Sequence, residues 1–304
     1  MPFLKNGNQI IPDYNKSKKW WNNIEYKTIK FEIQENGIAI LSLNRPEKLN
    51  AISFHMEEEL HHVLDELMVN LDVRILILSG EGRAFSAGTD LQEGLILNSK
   101  KIPDGYEKFY YLNISEPLKR KMYHQWRITQ IIMKMRKISQ PIIAIIHGAT
   151  AGGGFAFAMA ADIRICTEDT KFINASINIG LSGADMGGSY FLPRLISLSR
   201  ASEILYSGRA VSGKEAEQIG FVLKVVDKNN LLNEATILAE EMLSKSPLGL
   251  RMTKEALNLS LDSPSLNNMI QFENSSIVLT FSSKDVNEAA SAFFGKRRPS
   301  YSLK

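Results

Sequence analysis

The chain has 304 residues, of which 44% are hydrophobic and 23% charged, and its formal net charge is +3. This is the composition of an ordinary globular protein, and the small positive charge lacks the concentrated basic face of a nucleic-acid-binding protein. The single cysteine, Cys166, excludes an intrachain disulfide and suits a reducing compartment. No apolar run reaches the roughly 20 residues of a bilayer span. We therefore expect neither a nucleic-acid partner nor a membrane partner.

Residues 1–25 contain no apolar core of a secretion signal, so we expect a cytoplasmic protein. They carry four lysines and no arginine, and import into an organelle is the second alternative. The pattern divides the chain into an N-terminal extension (1–25), a core (26–228), and a helical region that ends in a basic tail (229–304).

Strands and helices alternate along the core. An apolar run predicts a strand over 37–43, Ser53 is a suitable N-cap for a helix over 54–70, and a buried strand follows over 72–79. Residues 92–117 read as a polar flap and 118–139 as a long helix. The alternation continues to about residue 226 and predicts α/β architecture. From about residue 229 the pattern is helical only.

The most informative stretch is a glycine turn at residues 152–154. It lies between a predicted strand (141–146) and a helix of small residues (155–161), and a second strand (162–166) follows. Free N–H groups at the start of such a helix point at an anion, or at an oxygen that becomes anionic during a reaction. The alternative is a turn in which glycine only permits tight packing.

A second loop, residues 84–91, has a similar design. Gly88 breaks the strand pattern, so the Thr89 N–H group follows a flexible residue, and Asp90 can accept from nearby backbone N–H groups and fix the turn. Two such loops can place two backbone donors around one carbonyl oxygen. Removing one such donor typically costs about 3–4 kcal/mol in the transition state.

These segments resemble signatures of the crotonase (enoyl-CoA hydratase/isomerase) superfamily. AFSAGTDL at 84–91 is similar to its FxAGxDL segment, and IIAIIHGATAGGGFAFAMAADIRIC at 142–166 is similar to its second signature. Further matches are NRPEKLNA at 44–51, DMGG at 185–188 and LPRL at 192–195, and AFF with KRRP at 292–299. The resemblance implies a spiral of ββα units (the ClpP/crotonase-like fold), a C-terminal helical trimerisation region, and homotrimers or dimers of trimers. It also implies acyl-CoA thioester substrates, so coenzyme A enters with the substrate and no separate cofactor or metal is expected.

By position in these motifs, the Thr89 and Gly153 N–H groups would form an oxyanion hole for the thioester carbonyl. The resemblance implies that six residues line the CoA channel: Lys48, Leu49, Ala51, Ala87, Asp90 and Leu91. Phe294, Lys296 and Arg297 would reach the CoA of a neighbouring subunit. The alternative for this basic tail is a solvated run of charges.

The chain departs from the family pattern at two catalytic positions. Hydratases of this family carry two glutamates, and here Ala156 and Ser176 stand in those places and would line the acyl pocket instead. Because general acid–base groups are typically worth about 10²–10⁴-fold each, the two-glutamate hydration mechanism is not expected. Asp185 is the best candidate acid/base. The alternative is that Asp185 caps the following helix.

Other polar residues have simpler interpretations. We expect His147 to be a structural histidine, and His61 with His62 has no third ligand at metal spacing. Five residues in or after the flap are weaker candidates for the pocket: Glu107, Tyr110, Tyr111, Glu116 and His124.

The sequence therefore predicts an acyl-CoA-processing enzyme that stabilises a thioester enolate by backbone donors. One alternative is a CoA-thioester decarboxylase or hydrolase, which needs the oxyanion hole more than the glutamates. The other is a catalytically silent subunit that binds acyl-CoA.

Overall fold

Strands of the chain form two sheets in the computed structural model, which describes residues 25–95 and 115–301. The N-terminal extension up to residue 24 and the flap candidates Glu107, Tyr110 and Tyr111 lie outside the described residues. In chain order the strands are β1 (Ile29–Ile33), β2 (Ile38–Leu43), β3 (Ile75–Gly80), β4 (Ile142–Ile146), β5 (Ala149–Ala151), β6 (Ile163–Cys166), β7 (Lys171–Ile173), β8 (Ala210–Ser212) and β9 (Lys224–Val225).

The main sheet has the strand order β1-β2-β3-β4-β6-β9. Strand β1 is antiparallel to β2, and the other neighbours are parallel. All five residues of β4 are buried, as expected for a central parallel strand that is covered on both faces. A smaller sheet of order β5-β7-β8 begins three residues after β4 ends.

Twelve helices pack around these sheets in the described part of the chain. They are α1 (Phe54–Val69), α2 (Leu91–Leu95), α3 (Glu116–Lys137), α4 (Gly153–Ala160), α5 (Ala175–Asn178), α6 (Gly188–Leu195), α7 (Leu198–Ser207), α8 (Gly213–Gln218), α9 (Leu231–Leu243), α10 (Pro247–Ser260), α11 (Leu266–Phe281) and α12 (Lys284–Phe294).

Helix α1 begins where the sequence predicts it. The Ser53 hydroxyl accepts from the Met56 N–H group and satisfies one donor of the first turn. The apolar face of α1 then packs against β1 and α3. This packing fixes the segment just before α1 close to the two glycine loops.

The main sheet has an apolar cluster on each face. One is the larger core, to which α1, α3 and α4 contribute. On the other face, Leu231, Ala235 and Ala239 of α9 pack on isoleucines of the central strands. After β9 the described residues contain helices only, and no helix among them combines the length and apolarity needed to cross a membrane.

Candidate active site

The two glycine loops meet at the start of α4. Isolated parallel bridges pair Ser86 with Thr150 and Ile52 with Thr89, which places the 84–91 loop along the strand that leads into the glycine turn. Gly88 has φ +91°, and a Cβ built on it would lie 2.7 Å from the Ala151 carbonyl oxygen. Only glycine therefore permits this close approach of the two backbones.

The Thr89 and Gly153 nitrogens border the same small space. A Cβ built on Gly153 would lie 3.6 Å from the Thr89 nitrogen, 2.8 Å from Ile52 Cδ1 and 3.5 Å from Met186 Sδ. The backbone groups on either side of Thr89 form hydrogen bonds to Ile52: the Ile52 N–H donates to Gly88 O, and the Asp90 N–H donates to Ile52 O. Gly153 is the first residue of α4, so its N–H has no acceptor within the helix.

A partly buried ion pair holds the first loop in place. Arg45 Nη1 donates to Ala51 O at 2.7 Å and lies 3.1 Å from Asp90 Oδ2. Asp90 Oδ1 accepts from the Gln92 N–H group at 3.1 Å, which is the turn-fixing contact that the sequence predicts. Asp90 is buried, and its carboxylate is committed to these partners.

The other predicted channel residues fall near this loop. Leu49 O accepts from the Ala87 N–H group at 2.8 Å, so the structure brings these two residues together. Ala51 is half-buried, and Lys48 is exposed at the end of a short 3₁₀ turn. Leu91 begins α2 with an exposed side chain.

Asp185 lies between α5 and α6, and two side chains hold its carboxylate. Ser176 Oγ donates to Asp185 Oδ2 at 3.0 Å, and Gln125 Nε2 donates to Asp185 Oδ1 at 2.7 Å. Gln125 comes from α3, sixty residues earlier in the chain. The carboxylate makes no capping bond to α6, whose Gly188 N–H donates to the Asp185 backbone oxygen instead.

The two positions that carry glutamates in hydratases have no acid here. Ala156 is buried in α4, and no residue of that helix is titratable. Ser176 is buried and bonded to Asp185. Asp185 is therefore the carboxylate that the structure places at Ser176.

The basic tail is exposed in the single chain. Phe294 is 82% exposed, Lys296 is exposed, and Arg297 forms two hydrogen bonds to Glu288, at 2.6 and 2.9 Å. Among the described residues, no hydrogen bond or ion pair joins this tail to Thr89, Gly153 or Asp185.

Three of the histidines lie within hydrogen-bond distance of another group of the chain. Nε2 of the buried His147 lies 3.0 Å from Gly82 O, and burial lowers the pKa of His147. His61 Nε2 lies 3.0 Å from Arg127 O, whereas His62 lies 2.9 Å from the Tyr26 hydroxyl. The described residues contain no cluster of three or more His, Cys, Asp and Glu side chains that could hold a metal.

Gln125 is the site residue that the sequence does not indicate. It lies in the middle of an amphipathic helix, and no motif or spacing separates it from its polar neighbours. Its contact with Asp185 follows from how α3 packs against α4, which also packs against α6. Only the tertiary arrangement brings the amide and the carboxylate together.

The fold and the paired glycine loops define a protein of the crotonase fold. The profile described as enoyl-CoA hydratase/isomerase matches residues 33–304. A Mycobacterium leprae protein named "Probable enoyl-CoA hydratase echA12" is 34% identical, over 86% of this chain and 85% of that protein. The 1,2-epoxyphenylacetyl-CoA isomerase of Escherichia coli is 32% identical, over 89% and 97%. The solved enoyl-CoA hydratase of Bacillus anthracis has a TM-score of 0.81 at 29% identity and covers 91% of this chain and 100% of its own.

The chain belongs to the enoyl-CoA hydratase/isomerase family of the crotonase superfamily, and it is an acyl-CoA-processing enzyme. The names of its relatives include both hydratases and isomerases, so membership leaves the reaction open.

Proposed function

We propose that this enzyme is an isomerase that moves a carbon–carbon double bond along an acyl-CoA. Asp185 takes a proton from the carbon next to the thioester of a 3-enoyl-CoA, and the electron pair passes to the thioester oxygen. The Thr89 and Gly153 N–H groups stabilise that enolate. Return of the same proton to the fourth carbon gives the 2-enoyl-CoA, so no atom is gained or lost.

The observation that carries this proposal is the single, well-held carboxylate of Asp185. Addition of water needs one group to activate the water and another to protonate the carbon. A double-bond shift needs only one carboxylate that accepts a proton and returns it. With Ala156 and Ser176 in the glutamate positions, the residues favour the shift over hydration.

Ser176 and Gln125 are proposed to position this base. Each donates one hydrogen bond to a different carboxylate oxygen, at 3.0 and 2.7 Å. Two donors on different oxygens restrict rotation of the carboxylate. The thioester oxygen is proposed to bind between two preorganised backbone donors, each typically worth about 10²–10³ in kcat.

We also propose that the active form is a homotrimer or a dimer of trimers. Large apolar side chains stay exposed on the C-terminal helices of the single chain, among them Leu266, Val278, Phe281, Phe293 and Phe294. A second copy is the partner that would cover them. Phe294, Lys296 and Arg297 are then placed to contact the CoA of a neighbouring subunit, and CoA enters with the substrate without a separate cofactor.

The test is turnover of defined thioesters in D₂O, followed by mass spectrometry. We expect 3-hexenoyl-CoA to give 2-hexenoyl-CoA, with deuterium incorporated where the base exchanges with solvent. Asp185→Asn should lower kcat by about 10²–10⁴-fold, whereas the exposed control Asp72→Asn should leave it unchanged.

Other outcomes would assign other reactions. Hydration of crotonyl-CoA at ordinary hydratase rates would contradict the proposal, and so would full activity of Asp185→Asn. Loss of CO₂ from malonyl-CoA or release of free CoA would indicate a decarboxylase or hydrolase. Tight CoA binding without deuterium uptake from any thioester would indicate a silent subunit.

A further inference from the structure

Met186 has a strained backbone conformation directly after the proposed base. Its φ is +45°, in the left-handed region that residues other than glycine seldom adopt. Gly187 follows with φ +87°, which glycine adopts without strain. Strain of this kind persists only where the surrounding structure imposes it, and it is common at active sites. The conformation of Met186 therefore calls for a functional explanation.

The side chain of Met186 lies beside the proposed oxyanion hole. Its Sδ atom is 3.5 Å from a Cβ built on Gly153. The same point is 3.6 Å from the Thr89 nitrogen and 2.8 Å from Ile52 Cδ1. Met186 and Ile52 thus form two apolar walls next to the position proposed for the thioester oxygen.

The two walls face different parts of a bound thioester. Ile52 directly follows Ala51, which is predicted to line the CoA channel, so its wall lies on the side of the thioester sulfur. Met186 directly follows Asp185, and successive Cα atoms are about 3.8 Å apart. The Asp185 carboxylate is held in turn by Ser176. Met186 is therefore the wall on the side of the acyl carbon that loses its proton.

A substrate can reach this wall, and the wall is held in place. Thr89, Gly152 and Asp185 are half-buried, and a Cβ built on Gly152 would meet no atom closer than 3.8 Å, so the space between the loops is open. Met186 itself is 6% exposed and belongs to the same core cluster as Phe191. Because protein cores are close-packed, its side chain cannot move aside without leaving a void.

We propose that Met186 selects acyl-CoA thioesters that have no branch on the second carbon, which is the carbon next to the thioester carbonyl. That carbon is two bonds from the oxygen bound by Thr89 and Gly153, and one of its hydrogens faces Asp185. A second hydrogen fits beside the Met186 sulfur, whereas a methyl group in its place would overlap the sulfur. This inference rests on the proposed function, because it places the thioester between the backbone donors and Asp185.

The experiment is calorimetric titration of the full-length protein with hexanoyl-CoA and with each enantiomer of 2-methylhexanoyl-CoA. At least one enantiomer should bind the wild type about 10–200-fold more weakly than hexanoyl-CoA, the usual range for one carbon in a packed pocket. In Met186→Ala this ratio of affinities should fall to about one, because the cavity left by the side chain accepts the methyl group. Met186→Leu keeps the bulk and should keep most of the ratio.

Met135→Ala is the matched control for loss of a buried methionine. Met135 is 3% exposed on α3, ten residues after Gln125, and this variant should keep the whole wild-type ratio. Both affinities are measured on the same protein, so an unfolded fraction changes the stoichiometry of binding and not the ratio. Met186→Gly removes the same side chain and accepts the positive φ, so it replaces Met186→Ala if alanine prevents folding.

The outcomes separate this inference from the proposed function. If both enantiomers bind the wild type as tightly as hexanoyl-CoA, or if Met186→Ala keeps the wild-type ratio, Met186 does not select the acyl chain. The ratio needs no turnover, so it decides this inference even if 3-hexenoyl-CoA is not isomerised, a result that would overturn the proposed function alone. If no thioester binds, both proposals fail.

Discussion

Replacement of Gly153 by alanine should lower turnover strongly while the protein still folds. Its φ lies outside the left-handed region, so alanine adds no backbone strain there. The new methyl carbon would lie 2.8 Å from Ile52 Cδ1, the end of a flexible side chain, and such overpacking typically costs about 1–3 kcal/mol. The protein should therefore still fold.

The same methyl group would enter the space proposed for the thioester oxygen. It would lie 3.6 Å from the Thr89 nitrogen, whereas an oxygen bound there must come within about 2.7–3.1 Å of its donors. Displacement from one donor should lower kcat about 10²–10³-fold, or about 2.7–4 kcal/mol in the transition state. The assay is kcat for 3-hexenoyl-CoA, measured beside a thermal melt.

Gly152→Ala is the matched control. Gly152 has φ +49°, and a Cβ on it would meet no atom closer than 3.8 Å. Alanine there should cost about 1–3 kcal/mol in backbone strain and lower Tm, but it leaves the space beside Thr89 free. If folded Gly153→Ala kept kcat within threefold of wild type, the assignment of the oxyanion hole would be refuted.

Three further predictions concern buried titratable groups. Lys254 is 5% exposed, and its Nζ atom lies 2.9 Å from Asp162 Oδ2. Lys254→Met should therefore lower the free energy of unfolding, measured by urea titration, by about 3 kcal/mol. An unchanged urea midpoint would contradict this. Burial lowers the pKa of His61 to about 4, whereas an unfolded histidine has a pKa of about 6.5. Between pH 6.5 and 4 the unfolded chain therefore binds a proton that the folded chain does not, and Tm should fall as the pH is lowered. In His61→Leu this fall in Tm should be smaller. Burial raises the pKa of Glu57 to about 9, which gives the opposite pH dependence. As the pH rises from about 4.5 to 9, the unfolded chain loses the Glu57 proton before the folded chain does, so stability should fall. Thermal melts at pH 5.5 and 8.5 should show this fall in the wild type but not in Glu57→Gln.

The sequence predicts those parts of the fold that depend on local chemistry. The strand over 141–146 is observed as β4, and the helix predicted over 54–70 is observed as α1, because an apolar run and a Ser53 cap act within a few residues. The glycine turn is also local. Helix α4 starts at Gly153, two residues before the predicted 155, since backbone geometry there outweighs the low helix propensity of glycine.

The contacts that complete the site depend on packing between distant elements. Gln125 and Asp185 are sixty residues apart and meet only across α3 and the segment before α6. Glu57 stands beside Glu58 and Glu59 in a charged stretch, and nothing in the sequence distinguishes the buried acid from its exposed neighbour Glu58. The periodicity of a helix shows which side chains share one face. It does not show which helix packs against that face, and that helix decides what the face contacts.

The position of α9 has a consequence for how the chain folds during synthesis. The main sheet takes its last strand, β9, from residues 224–225, and α9 covers the second apolar face only when residues 231–243 are available. Until then Ile38, Ile77 and Ile143 have no cover on that face. A growing chain must therefore carry an unfinished sheet through most of translation, and exposed apolar strands of this kind are the substrates of chaperones.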